Sequence, residues 1–163
     1  MLALIGIGSN DHAVSNIRQA LNALRERPDC RAITASSFYG NPARDRHGRP
    51  IGAAAYVNGA VLLETHLSVE ALTVLLKEIE TACGRTRDLA GTLVALDLDL
   101  VMIRDESTAT SGPTLLRPSE LAKPYFVVPA AQVAGDWLVS GQARTIAELA
   151  QVAATQELEL VQL

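Results

Sequence analysis

The sequence predicts an α+β fold: a mainly antiparallel sheet with helices packed on it, arranged as a ferredoxin-like sandwich. Three observations carry that reading. The elements run strand, helix, strand, strand, helix, strand, without the long series of βα units that a parallel sheet needs. Both long helical patterns are amphipathic, each with one apolar stripe to lay on a sheet. The length of 163 residues, 48% hydrophobic and 20% charged, suits one ordinary soluble core, so residues 1–163 are taken as a single domain.

Each element has a local cause. Leu2 to Ile7 is a short apolar run that leaves through Gly8-Ser9-Asn10, a buried strand followed by a turn. Val14, Ile17, Leu21 and Leu24 recur at helical spacing, with Arg18, Asn22 and Arg25 opposite; Asp11 or Ser15 is the expected cap and Pro28 the stop. Cys30 to Tyr39, rich in Thr, Ile and aromatics, predicts a second strand. Gly40 to Ala55 has no apolar period and holds Arg44, Arg46, His47 and Arg49, which predicts a long exposed loop. Tyr56 to Thr65 alternates as a third strand, with Tyr56, Asn58, Ala60 and Leu62 on one side. Ser68 opens a helix with Leu72, Leu75, Leu76, Ile79 and Cys83 inward, stopped by Gly84.

Arg85 to Val94 predicts a second loop, and Leu96 to Ile103 alternates strictly as the fourth strand. Arg104 to Thr114 is a turn region, Tyr125 to Val128 a strand-like apolar run, and Pro129 to Ala134 a short helix. Thr145-Ile146-Ala147-Glu148 has the form of a capping box opening a last helix, and Leu158, Leu160 and Leu163 suggest a terminal extended segment. The sheet face away from the first helices is then covered by the C-terminal third or left open for a ligand.

Composition excludes several classes of function. The net charge of −4 counts against duplex nucleic-acid binding. The apolar runs fall short of the roughly 18 residues that cross a bilayer, and no secretory signal pattern is found at the start. Cys30 and Cys83 make neither a metal spacing nor a disulfide framework, as expected in a reducing cytoplasm. Local groups of arginine can still serve small anions.

Asp97 and Asp99 are the sharpest chemical signal. Residues two apart on a strand share a face, so both carboxylates lie together on an otherwise apolar strand. Their repulsion and burial are relieved by a divalent cation, and magnesium is commonly held by one or two carboxylates together with water and phosphate. By spacing alone the pair also fits the wet face of a half-exposed strand. Arg85 and Arg87 follow the helix stop, and an Arg-x-Arg beside a metal site suits a polyphosphate, although taken alone they read first as solvated surface groups. Gly6-x-Gly8 is no dinucleotide motif, because Asp11 stands in its sixth position and no parallel βαβ unit follows. His12, His47 and His66 lack metal spacing and are read as surface residues; Trp137 is read as packing.

Read together, these stretches resemble the 6-hydroxymethyl-7,8-dihydropterin pyrophosphokinases. Ile5-Gly6-Ile7-Gly8-Ser9-Asn10 is similar to that family's first strand and Gly-Ser-Asn turn. Ser36 to Pro42, Tyr56-Val57-Asn58, Glu64-Thr65, and Ile79-Glu80 leading to Gly84-Arg85-x-Arg87 follow in the family's order, and Leu96-Asp97-Leu98-Asp99-Leu100 resembles its signature strand. The likeness spans roughly residues 1 to 135. It implies Mg2+-dependent transfer of pyrophosphate from ATP to the hydroxymethyl group of a reduced pterin, releasing AMP, in folate biosynthesis. It further implies that Asp97 and Asp99 bind two Mg2+ ions and count, with Arg85 and Arg87, as the catalytic groups. Asn41, Pro42, Tyr56, Asn58 and Tyr125 would line the pterin pocket, and Lys77, Glu80, Arg85, Arg87, Arg117 and Lys123 would face ATP. Pterin and ATP would be the only partners expected, without nucleic acid or membrane, for a cytoplasmic monomer or weak dimer.

The chain also departs from that pattern. Gly91-Thr92-Leu93-Val94 stands where the family has Trp-x-Pro-Arg, removing an aromatic lid and a cation. Loss of one transition-state donor commonly costs about two to three powers of ten in rate. Arg117-Pro118 replaces a His-Pro, and Lys123 a later arginine. Two alternatives therefore stand beside an active pyrophosphokinase. One is a relative that binds a pterin or nucleotide without turnover; the other is an enzyme using a different acceptor alcohol, since Arg44 replaces a usually apolar residue.

Overall fold

The structure is a computed structural model and describes residues 1–41, 55–84, 93–105, 112–153 and 158–163. Most of the predicted loops at 40–55 and 85–94 and of the turn at 104–114 therefore lies outside the described residues, as do Pro42, Arg85 and Arg87, while Gly40 and Asn41 belong to a strand. The described strands are β1 (Leu2–Ser9), β2 (Cys30–Ala35), β3 (Phe38–Asn41), β4 (Tyr56–Thr65), β5 (Asp97–Arg104), β6 (Thr114–Leu115), β7 (Leu138–Val139), β8 (Arg144–Thr145) and β9 (Glu159–Val161). The helices are α1 (Ala13–Arg25), α2 (Val69–Ala82), α3 (Pro124–Ala134) and α4 (Ile146–Ala153), with a 3-10 turn at Pro118–Ala122.

The main sheet runs β6–β5–β1–β4–β3–β9, with β2 also paired to β4, and its described pairings are antiparallel. β1 is central between β4 and β5, which is the ferredoxin-like order for a βαββαβ chain. β7 and β8 form a separate two-stranded ribbon. The expected α+β fold is therefore observed.

Alternation along β1 and β4 splits the core in two. Ala3, Ile5, Ile7, Val61 and Leu63 pack with Ile17 and Leu21 of α1 and with Leu72, Leu76 and Ile79 of α2. Leu4, Ala60 and Met102 turn the other way, onto Phe126, Val127 and Ala130 of α3, Trp137 and Ile146. The C-terminal third thus covers the second face. Trp137 is packing, as expected, with Arg104 lying 5.2 Å over its ring.

α2 forms as its sequence dictates: Ser68 Oγ accepts the Ala71 N–H, and Gly84 ends the helix with φ 85°, a left-handed conformation that favours glycine. The capping box at α4 also forms, since Glu148 accepts the Thr145 N–H and Thr145 Oγ1 accepts the Glu148 N–H.

Four expectations are corrected. Cys30 to Tyr39 is two strands, because one residue more lies between Ala35 and Tyr39 than between their β4 partners Val61 and Asn58. Ser36 fills that bulge: its Oγ accepts the buried Ala60 N–H at 2.9 Å and its own N–H donates to the Ala60 carbonyl. Neither Asp11 nor Ser15 caps α1; the N-cap is His12, with φ 46° and no side-chain cap, while Asn16 Nδ2 reaches back to the Asp11 carbonyl. The strict alternation of β5 stops at Leu100, because Val101 is an extra residue between the Ile5–Leu100 and Leu4–Met102 pairs. Tyr125 to Val128 is no strand but the first turns of α3. A short apolar run does not distinguish a strand from a buried helix, and Pro124 at the first helical position sets the helix going.

Candidate active site

The site is built where β1, β4 and β5 emerge from beneath α3. Gly8 pairs with Asn58 on one side and Asp97 on the other, so Asn58, Gly8 and Asp97 form one row across three strands. Asn58 and Asp97 are thus two strand spacings apart, roughly 10 Å. Gly6 stands in the next row beside Asp99, with the Phe126 ring 3.2 Å from where a Cβ would be. Gly8 keeps the floor between amide and carboxylates clear, because a Cβ there would come 2.6 Å from Asn58 Oδ1.

Of the residues expected to line a pterin pocket, those within the described structure are brought together. Asn41 pairs with Tyr56, and Asn58 Nδ2 donates to Asn41 Oδ1, which fixes the buried Asn58 amide. Tyr56 lies close enough to Asp97 and Tyr125 for their charges to act on it. Burial first, then those two groups, raise its phenol above the usual tyrosine range.

The entry to β5 is held by the Gly-Ser-Asn turn. Ser9 Oγ donates to the Ala95 carbonyl at 2.6 Å, Asn16 Nδ2 donates to the same oxygen at 2.9 Å, and Asn10 both donates to and accepts from the Val94 backbone. Ser9 and Asn10 are buried, so these bonds are made away from water. Sequence reasoning saw only a turn here; the missed signal is a pair of hydrogen-bonding side chains directly after a buried strand.

On the outer edge of β5, Glu80 of α2 is 1% exposed and accepts the Leu98 N–H at 2.8 Å and Lys77 Nζ at 2.7 Å. Its carboxylate is turned into the protein, in place of the nucleotide-facing position implied by the resemblance. Lys77, the other member of that pair, keeps its side chain about half exposed.

Asp97 and Asp99 do share a face, and Asp99 is only 19% exposed. Burial, then the neighbouring Asp97, raise the Asp99 carboxyl above its ordinary range, and Arg117 opposes them. Arg117 Nη1 is 3.0 Å from Asp99 Oδ1. Lys123 Nζ is 2.7 Å from Glu120 and 5.8 Å from the centre of the Tyr125 ring. Burial pulls its ammonium down, but the Glu120 hydrogen bond and the charges of Tyr125 and Glu120 outweigh that and hold it above the usual lysine range. Glu120 was not anticipated; its signal is the three-residue step to Lys123 across one turn.

Among the described residues no three side chains of His, Cys, Asp or Glu gather as a metal cage. Two hard oxygen donors suffice for magnesium, which dehydrates reluctantly and completes its shell from water and phosphate. The donor set therefore fits that ion and not a site built from protein ligands alone.

Paired carboxylates, cations around them and an amide-and-phenol wall opposite make up a site for phosphate-transfer chemistry, and comparison with known proteins defines the class: the protein is a pyrophosphokinase, a diphosphotransferase. Residues 4–135 match the model of the family described as 7,8-dihydro-6-hydroxymethylpterin-pyrophosphokinase, and the chain belongs to that family. It is similar to the 2-amino-4-hydroxy-6-hydroxymethyldihydropteridine pyrophosphokinase of Synechocystis sp. PCC 6803, 30% identical over 153 residues, covering 90% of this chain and 73% of the relative. The protein of the same description from Pseudomonas aeruginosa PAO1 is 29% identical over 133 residues, 81% of this chain and 80% of that one. That of Bacillus subtilis 168 is 26% identical over 136 residues, covering 81% and 77%.

Proposed function

We propose that the protein transfers the pyrophosphoryl group of ATP to the hydroxymethyl oxygen of 6-hydroxymethyl-7,8-dihydropterin, a step of folate biosynthesis, in a single domain working in the cytoplasm. The hydroxymethyl oxygen bonds to the β-phosphorus, the bond from that phosphorus to the α-phosphate oxygen breaks, AMP leaves, and the hydroxyl proton passes to solvent. The observation that carries this reading is the row Asn58–Gly8–Asp97, in which an amide that would read a pterin edge and a carboxylate that would hold phosphate-bound cations flank one glycine.

Asp97 and Asp99 would hold Mg2+, two ions by family resemblance, which supplies charge compensation to the phosphates when bound. Asn58, fixed by Asn41, would present its amide to the pterin edge, with Tyr56 and Tyr125 beside the ring and Pro42 in the same pocket by family resemblance. Glu80 holds the strand bearing the aspartates, and half-exposed Lys77 beside it would face ATP. Arg117 and Lys123, with Arg85 and Arg87, supply cations for the triphosphate. Transfer of this kind needs positioned charge more than covalent help.

A second reading, binding of a pterin or nucleotide without turnover, is favoured by Val94. Its backbone bonds to Asn10 in both directions, and its neutral side chain occupies the place of a cation in the family. One experiment addresses both readings: AMP release measured with ATP, Mg2+ and the pterin together and with each omitted. Release only with all three present supports the transferase; calorimetric pterin binding without AMP supports the second reading. Asp97→Ala should abolish Mg2+-dependent nucleotide binding with an unchanged circular dichroism spectrum, and retained affinity would remove the metal assignment.

A further inference from the structure

The Arg117–Asp99 pair involves a residue whose backbone is fixed and whose side chain is not. Pro118 keeps Arg117 out of the helical region, at φ −129° and ψ 83°, and the Arg117 N–H donates to the Val101 carbonyl at 3.2 Å, beside the Leu116 N–H at 2.8 Å on the same oxygen. That oxygen belongs to the extra residue of the β5 bulge, so the bulge itself sets Arg117 next to Asp99. The Arg117 side chain is 49% exposed against 19% for Asp99. The arginine therefore has room to turn away, and the carboxylate does not.

A divalent ion that approaches both carboxylates meets Arg117 on Asp99 and must displace it. A displaced guanidinium needs another anion, which a triphosphate offers in bidentate geometry and water does not. We propose that Arg117 is the resident counter-cation of Asp99: it holds the carboxylate while no divalent ion is bound, and exchanges Asp99 for phosphate oxygens when ion and nucleotide arrive together. The inference rests on the assignment of Asp97 and Asp99 as the cation site. Its consequence is coupling: the ion alone binds weakly, the nucleotide strengthens it, and by linkage the ion strengthens the nucleotide equally.

The test is Mn2+ binding followed by electron paramagnetic resonance of the free ion, without and with a non-hydrolysable ATP analogue, on the full chain. Arg117→Gln should bind Mn2+ alone about five-fold more tightly than the original protein, the size expected for loss of a partly exposed ion pair. The strengthening of Mn2+ binding by the analogue should fall. Arg117→Lys keeps the charge and should stay within about two-fold of the original in Mn2+ binding alone. Equal Mn2+ affinity in the original and Arg117→Gln overturns the proposal, as does Arg117→Lys behaving like Arg117→Gln. Asp97→Asn separates the two levels. Loss of Mn2+ binding there with no effect of Arg117→Gln sinks the counter-cation alone; binding unchanged in Asp97→Asn sinks the cation site as well.

Discussion

The Glu80 carboxylate accepts the Leu98 N–H at 2.8 Å, and Leu98 is the residue between Asp97 and Asp99. Among the described residues β6 pairs with β5 at Met102 and Ile103, and the outer edge of β5 at its aspartate end is tied to a helix side chain. A buried carboxylate thus does the work of a neighbouring strand, and Lys77 offsets its charge. The helix and the aspartate strand are locked together at the residue where a shift would turn both carboxylates.

Glu80→Ala removes an acceptor from a buried N–H and leaves a void. It should cost about 3 kcal/mol in urea denaturation, within the usual range for an orphaned buried donor plus lost packing. Glu80→Gln keeps the acceptor and loses the charge shared with half-exposed Lys77, so about 1 kcal/mol is expected. If stability follows that order while both variants lose transfer activity, Glu80 acts by positioning; full activity in Glu80→Ala would show that the edge bond is dispensable.

Gly8→Ala should act on binding more than on folding. Its Cβ would meet Asn58 Oδ1 at 2.6 Å, and the buried Asn58 has little freedom because Asn41 holds its Nδ2. Forcing the amide aside should raise KM for the pterin more than ten-fold and cost about 1–2 kcal/mol in stability. KM for ATP changing as much as KM for the pterin would contradict the assignment of Asn58 to the pterin edge.

Ser36→Ala tests the bulge. The Ala60 N–H would lose its acceptor in a buried position, at a cost of about 1–3 kcal/mol. A loss below about 0.5 kcal/mol in urea denaturation would mean that the two strands rejoin and recover the bond.

What could be read beforehand follows from how local its cause is. α2 was legible because its cap Ser68, its stripe Leu72-Leu75-Leu76-Ile79 and its stop Gly84 all lie within the segment. The Asp97–Asp99 face was legible because strand alternation is local up to Leu100. The break at Ser36 depends on the Ala60 N–H, 24 residues away, and the bulge at Val101 on register with β1; neither leaves a mark in its own segment. The second part of α3, Pro129 to Ala134, was legible as helix, but its first turns were missed because Tyr125 to Val128 is a short apolar run, as either a strand or a buried helix can be. The site was legible as residue types, but its linkage was not: that Ser9 and Asn16 hold Ala95, and that Glu80 points inward, are facts of packing.

Asp99 provides the pH test. Its carboxyl sits above the ordinary value of 3.8, chiefly through burial and then through Asp97. A raised carboxyl binds its proton more tightly folded than unfolded, so stability falls as pH rises through the window from 3.8 up to the raised value and stays lower above it. Asp99→Asn does not titrate and escapes that penalty, although it gives up the charge shared with Arg117. Without metal, Asp99→Asn should therefore melt at a higher temperature than the original protein at pH 7, and the difference should shrink toward zero as pH is lowered below about 4. With Mg2+ and ATP in hundred-fold excess over Kd the order should reverse, because only the original protein gains the roughly 2.7 kcal/mol of ligand stabilisation. A variant less stable than the original at pH 7 without metal would show that the Arg117 pair outweighs burial and repulsion, and that the aspartates are at rest without their cation.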